Sequence, residues 1–242
     1  MPNNILIYFL FAIAPGLIWL FYFLRKDKLP EPKLQILKIF VYGIIATIPA
    51  VFIELTLIKD LSLANLEPIT YTIIKYIFII GFIEELFKYI VVRFFILKHS
   101  CLDEPIDIPL YMIISALGFA TLENILVFSN EALANVATQG LLIVSITRFI
   151  TATFLHALCS GLIGCFIALS FYALKFRWFL VSVGFILAIC LHGLFDFYIE
   201  LGIMKIATEN ETIYPLFILF ILAISVFILL KEIKKIKSVC KI

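Results

Sequence analysis

The stretch TYTIIKYIFIIGFIEELFKYIVVRFFIL, residues 70–97, decides the class of fold. It is long and almost wholly apolar, yet it carries two adjacent acids, Glu84 and Glu85, and a basic residue, Lys88. A helix needs about 20 apolar residues to cross the hydrocarbon core of a bilayer. An ionisable side chain in such a helix is costly unless it faces the interior of a bundle. Residues 70–97 therefore predict a membrane-spanning helix with a polar face turned toward other helices.

The rest of the chain has the composition of a membrane protein. Of its 242 residues, 64% are hydrophobic and 15% are charged, whereas soluble domains have roughly 45–50% apolar and about 25% charged residues. Apolar runs predict seven spans, at residues 5–24, 38–58, 70–97, 108–128, 143–174, 178–199 and 213–230. We therefore predict an all-α, polytopic transmembrane helix bundle that forms a single integral membrane domain over residues 1–242.

The net charge argues against a nucleic-acid-binding protein, and the cysteines argue against a disulfide-rich or zinc-binding fold. A formal net charge of +2, with scattered basic residues, argues against a nucleic-acid-binding protein, so no nucleic-acid partner is expected. The chain has five cysteines and no C-x-x-C pair, which argues against a disulfide framework or a zinc knuckle. We expect them to be small core residues: Cys101, Cys159, Cys165, Cys190 and Cys240.

Basic residues predict how the chain is oriented in the membrane, because cytoplasmic loops carry an excess of Lys and Arg. They cluster after the first span and at the end of the chain, and they are sparse in the alternate loops. The clustered residues include Arg25, Lys26, Lys28 and Lys231, and the sparse ones are Lys59, Lys75 and Lys205. We expect the N-terminus outside and the C-terminus in the cytoplasm. The most polar outer stretch, residues 129–142, forms either an interfacial helix or a lid.

Further ionisable and polar residues lie inside the later spans, where such residues indicate a functional site by default. These are Glu123 and Asn124, Arg148 and His156, and His192 and Asp196. Helical spacing places Glu84 and Glu85 beside Lys88, and it allows Asp196 to fix the tautomer of His192. At 1.5 Å per residue, the polar groups of four spans fall in one slab in the outer half of the bilayer. We therefore predict one shared polar cavity.

The charges of this predicted cavity indicate hydrolysis. Four carboxylates, from Glu84, Glu85, Glu123 and Asp196, face two cations, Lys88 and Arg148. In a low dielectric, the excess of negative charge has to be relieved by protonation or by a divalent cation.

Two forms of this chemistry stay open. Two imidazoles and a carboxylate, here His156, His192 and Glu123, are a normal ligand set for zinc and leave a position for water; a second glutamate would then be the general base. Without a metal, Glu84 or Glu85 would activate water directly, and the histidines would stabilise the oxyanion.

Other functions compete with hydrolysis. Acids and histidines at the midplane also build cation or proton transporters, although the sequence has no visible inverted repeat. A non-catalytic membrane scaffold would keep the same fold and only bind substrate helices. Ser160, one turn after His156, indicates a serine hydrolase only weakly, because the G-x-S-x-G turn is missing.

The separated motifs together resemble the PrsW family of intramembrane proteases, which is related to the CAAX prenyl proteases. The motifs are Glu84-Glu85-x-x-Lys88, Phe119-x-x-x-Glu123-Asn124, His156, His192-Gly-x-x-Asp196, and the opening Pro15-Gly16-Leu-Ile-Trp19 with Arg25-Lys26-Asp27 and Glu31-Pro32. The CAAX enzymes have a histidine after Phe-x-x-x, where this chain has Glu123. That difference favours the PrsW branch and argues against a prenylated substrate.

The resemblance implies an intramembrane peptidase. By resemblance, Glu84 and Glu85 are the catalytic acids, and Glu123, His156 and His192 complete the site. The family is usually described as metal-dependent, which implies a divalent ion such as zinc, although metal-free catalysis by glutamate has been argued for its relatives. The implied substrate is a single-pass membrane protein, such as an anti-sigma factor, and the implied location is the cytoplasmic membrane of a bacterium.

Overall fold

A computed structural model describes residues 5–25, 29–97, 102, 104–133, 138–203 and 213–236. Throughout these residues the regular structure is helical, which confirms the all-α class. The α-helices are α1 (Ile5–Leu24), α2 (Lys33–Ser62), α3 (Pro68–Ile73), α4 (Phe82–Phe95), α5 (Asp107–Leu133), α6 (Thr138–Ile150), α7 (Ala152–Ser170), α8 (Arg177–Ile203) and α9 (Tyr214–Ile233). A π-helix (Ile74–Gly81) joins α3 to α4, and a 3-10 turn (Leu174–Phe176) precedes α8.

Six helical segments of the described ranges are long and apolar enough to cross a membrane. They are Leu6–Leu24, Lys33–Ser62, Asp107–Ser129, Thr138–Ser170, Leu174–Leu201 and Tyr214–Ile233. Each overlaps one of the seven predicted spans, so the polytopic membrane bundle is confirmed.

The one remaining predicted span, residues 70–97, is a composite helix. It consists of α3, the π-helix and α4, and Pro68 occupies the first turn of α3, where the missing N–H of proline costs nothing. A π-helix is rare and is frequently found at functional sites. Here it ends at Gly81, three residues before Glu84.

The predicted span at residues 143–174 is also divided. Its helix begins at Thr138 as α6 and is interrupted at Thr151, where φ is −106° and ψ is −94°, before α7 starts. Within the predicted outer stretch 129–142, α5 continues to Leu133 and α6 starts at Thr138. The remaining part, residues 134–137, lies outside the described residues.

Helices α5 and α7 form the centre of the bundle. Almost every residue of α7 is buried, and α5 packs against α1, α2, α4 and α7. The α2–α5 contact is close because glycines lie on both helices: a Cβ atom at Gly43 would collide with the Ser115 carbonyl, and one at Gly118 with the Phe40 carbonyl. Small residues allow this approach of transmembrane helices.

The π-helix packs against α8 through a second close contact. A Cβ atom at Gly193 would lie 2.7 Å from the carbonyl oxygen of Tyr76 and would also collide with the backbone of Ile77. Gly193 follows His192 directly. The fit between these two elements therefore fixes the distance between His192 and the segment that leads into Glu84.

Several residues used in the sequence predictions lie outside the described parts of the chain. They are Lys26, Asp27, Lys28, Cys101, Lys205 and Cys240. Cys159 and Cys165 are buried and carry free thiols, as small core residues would. The orientation of the termini stays a prediction.

Candidate active site

The polar side chains of α4, α5, α7 and α8 come together at one place in the bundle. Five of these residues form the centre of the cluster, and each is at most 4% exposed: Glu84, Glu85, Lys88, His156 and His192. The rings of His156 and His192 lie 4.9 Å apart, centre to centre, and nearly perpendicular to each other. Residues that are far apart in sequence thus share one buried polar cluster.

Lys88 lies between the acids and the first histidine. Its Nζ atom is 2.8 Å from Glu85 Oε1, 3.1 Å from Glu84 Oε2 and 2.7 Å from His156 Nδ1. The ammonium group also lies 4.7 Å from the centre of the Phe119 ring. A fully buried lysine is stable only when it is paired in this way, so Lys88 supplies the positive charge that compensates the two glutamates.

Both carboxylate oxygens of Glu85 are hydrogen-bonded. Besides Lys88, its carboxylate accepts a hydrogen bond from Ser160 Oγ at 2.7 Å and one from His192 Nδ1 at 3.0 Å. These partners lie on α4, α7 and α8. Glu85 therefore connects three helices, and Ser160 contributes to its orientation.

Glu84 is placed differently. Its Oε2 atom lies 3.5 Å from His156 Nδ1 and 3.6 Å from His192 Nε2, and its side chain lines a cavity. A water molecule held beside Glu84 would therefore be close to both imidazoles.

Two further carboxylates fix the imidazole tautomers. Glu123 Oε2 lies 2.7 Å from His156 Nε2, and Glu85 Oε1 lies 3.0 Å from His192 Nδ1. An ionised carboxylate only accepts hydrogen bonds, so the nitrogen facing each carboxylate carries the hydrogen. The other nitrogen of His156, Nδ1, then accepts a hydrogen bond from Lys88 Nζ at 2.7 Å. The other nitrogen of His192, Nε2, lies 3.6 Å from Glu84 Oε2.

Three side chains of the cluster could hold a divalent metal if the Lys88 ammonium, 2.7 Å from His156 Nδ1 and 3.1 Å from Glu84 Oε2, gave up these two contacts. Glu84, His156 and His192 each offer one ligand atom, and the three atoms lie within 4.8 Å of one another. Two ligands of a tetrahedral zinc ion, each about 2.1 Å from the metal, are separated by about 3.4 Å. The two Glu84–imidazole distances are close to that value. The structure thus assembles a set with Glu84, while the set predicted from the sequence, with Glu123, stays a prediction.

Glu123 is also part of a second small network. Arg148 Nη2 lies 3.8 Å from Glu123 Oε2, and Arg148 Nε donates to Asn124 Oδ1. Asn124 Nδ2 in turn lies 3.2 Å from Thr153 Oγ1. Arg148 and Asn124 therefore hold Glu123 against His156.

Asp196 lies at the other end of the cluster. Its Oδ2 atom is 3.5 Å from His192 Nε2, one helical turn away, and a quarter of its side chain is exposed. The spacing of these two residues predicted that they would be neighbours. The structure adds that Glu85, at 3.0 Å, is the closer carboxylate partner of His192.

A cavity of about 380 Å³ opens beside these groups. Acids and histidines line its floor, and apolar side chains of α2, α5, α7 and α8 form much of its wall, including Val51, Leu126, Val127, Leu155 and Ile199. At the rim, Tyr76 and Glu200 face the cavity, and Lys75 Nζ lies 3.6 Å from Glu200 Oε1. The cavity thus combines a polar cluster with an apolar wall.

Glu54 was not among the residues predicted from the sequence. This residue lies on α2 within the predicted span 38–58, and its side chain is buried. It belongs to no recognisable motif, and the signal that would have found it is its charge in an otherwise apolar run. Tyr76 and Glu200 also belong to no recognisable motif.

Comparison with known proteins identifies the family. The model of the PrsW family of intramembrane metalloproteases matches residues 31–229. The chain is 32% identical to protease PrsW of Geobacillus kaustophilus over 186 residues, 76% of each chain. It is 30% identical to protease PrsW of Bacillus subtilis over 188 residues, 77% of this chain and 79% of the relative. No solved structure matches. The chain therefore belongs to the PrsW family and is an intramembrane peptidase.

Proposed function

We propose that the cavity hydrolyses a peptide bond of a membrane-protein substrate with water activated at Glu84. The observation that carries this proposal is the position of Glu84 Oε2, 3.5 and 3.6 Å from two imidazole nitrogens whose orientation Glu123 and Glu85 fix. Catalytic groups that are held in advance lower the barrier to hydrolysis, because little reorganisation is needed during the reaction.

The chain's own residues have distinct parts in this reaction. Glu84 takes a proton from water as the new C–O bond forms, and that proton passes to the leaving nitrogen as the C–N bond breaks. The charge of Lys88, which His156 Nδ1 helps to hold in place, offsets part of the negative charge that develops on the carbonyl oxygen. His192 donates a hydrogen bond to that oxygen when its Nε2 is also protonated. Glu85 holds Lys88 and His192 in place, and Arg148 with Asn124 positions Glu123.

A metal would be held by Glu84, His156 and His192. A divalent ion there, such as zinc, would supply Lewis-acid activation of water, and Glu123, which also lines the cavity, would then be available as the general base. The donor set and its spacing support this form of the site.

The substrate that we propose is a single-pass membrane protein of the anti-sigma-factor kind. The apolar wall of the cavity supports a transmembrane segment as the substrate, and the anti-sigma-factor class follows from the resemblance to the PrsW family. The proposed location is the cytoplasmic membrane of a bacterium, with the N-terminus outside.

Variants of four residues test the proposal. Glu84→Gln, Glu85→Gln, His156→Ala and His192→Ala are each expected to abolish cleavage of a membrane-protein substrate while the protein still inserts into the membrane. Glu232→Gln, on the exposed surface of α9, is the matched control. Full activity of the Glu84→Gln and Glu85→Gln variants would refute the assignment.

The role of a metal is tested separately. We expect purified protein to contain about one divalent ion per chain and to lose activity with a chelator, with recovery on adding zinc. A Glu84→Gln, Glu85→Gln double variant is expected to lose the bound ion. Full activity of metal-depleted wild-type protein would instead support direct catalysis by the glutamate.

A further inference from the structure

A second cavity, of about 260 Å³, lies between α1, α5 and α9. We call it the lysine groove, because Lys231 and Lys234 line one part of it. The buried start of α5 forms its floor, at Leu110 and Ile113. Leu110 is about 20 Å along α5 from Glu123, so the groove is separate from the candidate active site.

Three helix ends place the lysine groove at one edge of the bundle. Helix α1 ends at Leu24, α5 begins at Asp107 and α9 ends at Ile233. The residues that line the groove lie within about two helical turns of these ends. This is the depth at which a transmembrane helix passes from the hydrocarbon core to the lipid head groups. From the distribution of basic residues, we expect this edge to face the cytoplasm.

One face of α9 supplies both an apolar and a basic part of the groove. Four of its residues line the groove at the three- and four-residue spacing of a single helix face: Phe227, Leu230, Lys231 and Lys234. The two apolar side chains precede the two lysines along the helix, so the apolar part lies deeper in the membrane. Lys235 is not among the lining residues and lies 2.6 Å from Glu232 instead.

The space between α1 and α9 is too narrow for another helix. Where Phe23 of α1 faces Phe227 of α9, the two ring centres are 6.4 Å apart and the rings are nearly parallel. A helix with its side chains is about 10–12 Å wide. Tyr22 and Phe227 are each 38% exposed, so the groove is open at the surface of the bundle. A hydrocarbon chain of a lipid is thin enough to enter such a groove.

The charge of the groove indicates the head group of that lipid. Among the described residues, two lysines and no acid line the groove. Lysines at a helix end extend toward the level of the lipid phosphates, and each one there strengthens the binding of anionic lipid about fivefold. Lys231 and Lys234 are neighbours on one helix face, so both reach a single phosphate. A lysine that only anchors a helix end would need no apolar cavity beneath it.

We propose that the lysine groove is a binding site for one anionic phospholipid. Its phosphate lies against Lys231 and Lys234, and one of its acyl chains lies along the α5 floor between α1 and α9. The lipid then contacts three helices at once, two of which, α1 and α9, pack mainly against other partners. A ligand that binds only the folded protein raises its stability by mass action.

Lipid titration of the purified full-length protein tests the inference. Native mass spectrometry counts the bound lipids, and thermal unfolding in detergent measures the stabilisation. The wild type is expected to bind one dioleoylphosphatidylglycerol about tenfold or more tightly than dioleoylphosphatidylcholine, and to unfold at a higher temperature when the anionic lipid is present. Inorganic phosphate, which has the charge but no chain, is expected to give neither effect.

Three variants separate the two parts of the groove. The double variant Lys231→Gln, Lys234→Gln is expected to bind both lipids equally. Leu230→Trp fills the apolar part, keeps both lysines and is expected to weaken the binding of phosphatidylglycerol. The double variant Lys33→Gln, Lys38→Gln is the matched control, because it removes the same charge from exposed positions at the start of α2. It is expected to keep the preference of the wild type.

Four results would overturn the inference. They are equal binding of the two lipids by the wild type, equal stabilisation by inorganic phosphate, unchanged preference in the Lys231→Gln, Lys234→Gln variant, and loss of the preference in the Lys33→Gln, Lys38→Gln control. A lipid-free dimer that the Lys231→Gln, Lys234→Gln variant no longer forms would also overturn it, because the groove would then be an interface between two copies of this chain. None of these measurements depends on proteolysis, so they leave the proposed function untouched.

Discussion

At the scale of single residues, the two adjacent acids of α4 have different environments. Successive residues of a helix point about 100° apart, so Glu84 faces the cavity while Glu85 faces α7 and α8. The sequence identified both acids, together with Lys88 and the histidines, because ionisable residues in apolar spans are rare. It could not divide their roles, because that division depends on which helices become neighbours.

We expect Ser160→Ala to lower the cleavage rate by about tenfold without abolishing it. The substitution removes one of the hydrogen bonds to Glu85, and a hydrogen bond to a charged group contributes about 1.5–3 kcal/mol. The measurement is kcat with a reconstituted transmembrane peptide. Ser170→Ala, which removes a buried serine hydroxyl bonded to a backbone carbonyl of the same helix, is the control. Complete loss of activity in Ser160→Ala alone would indicate a nucleophilic serine instead.

Lys88→Met is expected to destabilise the fold by about 3–5 kcal/mol, because it leaves two buried carboxylates without their cation. Adding Glu85→Gln to that variant removes one of these charges, so part of the lost stability returns. Thermal unfolding in detergent measures both effects. Lys75→Met, at the partly exposed rim of the cavity, is expected to change stability by less than about 1 kcal/mol. Equal effects at Lys75 and Lys88 would argue against this account of the buried cluster.

At the scale of elements, the apolar pattern predicts where helices lie but not how they are interrupted. Residues 70–97 were predicted as one span and contain a π-helix, and the span at 143–174 is divided at Thr151. An α-helix and a π-helix with apolar side chains present similar sequences, and the difference arises from packing against α8. Glu54 was missed at this scale too, because a single acid in α2 has no partner at helical spacing.

The contact between the π-helix and α8 predicts a specific sensitivity. Gly193→Ala places a methyl group against the backbone of Tyr76 and Ile77, so we expect it to displace the segment before Glu84 and to lower the cleavage rate at least tenfold. Overpacking of this kind typically costs about 1–3 kcal/mol. Gly161→Ala is the matched control, because its new methyl group meets only side chains, those of Ile113 and Val226, and no backbone. The measurements are the cleavage rate and the thermal unfolding midpoint of both variants. If Gly193→Ala lowered the cleavage rate no more than Gly161→Ala does, the proposed role of the contact would be contradicted.

At the scale of the whole molecule, the composition was sufficient to predict a membrane-embedded helical bundle. The central position of α5 and α7 was not predictable, because their sequences are no more apolar than those of the peripheral helices. In a bilayer, lipid-facing and protein-facing positions are both apolar, so hydrophobicity does not identify the core. The core is identified instead by the close glycine contacts and by the buried charges.

The orientation of the chain remains to be measured. From the distribution of basic residues we expect the N-terminus outside and the C-terminus in the cytoplasm. Alkaline phosphatase fused after Ile233 should then be inactive in a bacterial host, while a fluorescent protein at the same position should be bright. Fusions in the loop after Ser62 should give the opposite pair of results. A bright fluorescent fusion after Ser62 would show that the orientation is inverted.

The lining of the cavity determines what kind of small molecule would inhibit this enzyme. The floor carries the acids Glu84, Glu123 and Asp196, whereas the wall includes Leu126, Val127 and Ile199. An amphipathic cation would match both surfaces, with its head group against the carboxylates and its hydrocarbon tail along the wall. Such a compound would partition into the bilayer first, so its potency would depend on its concentration in lipid and not on its concentration in the aqueous phase.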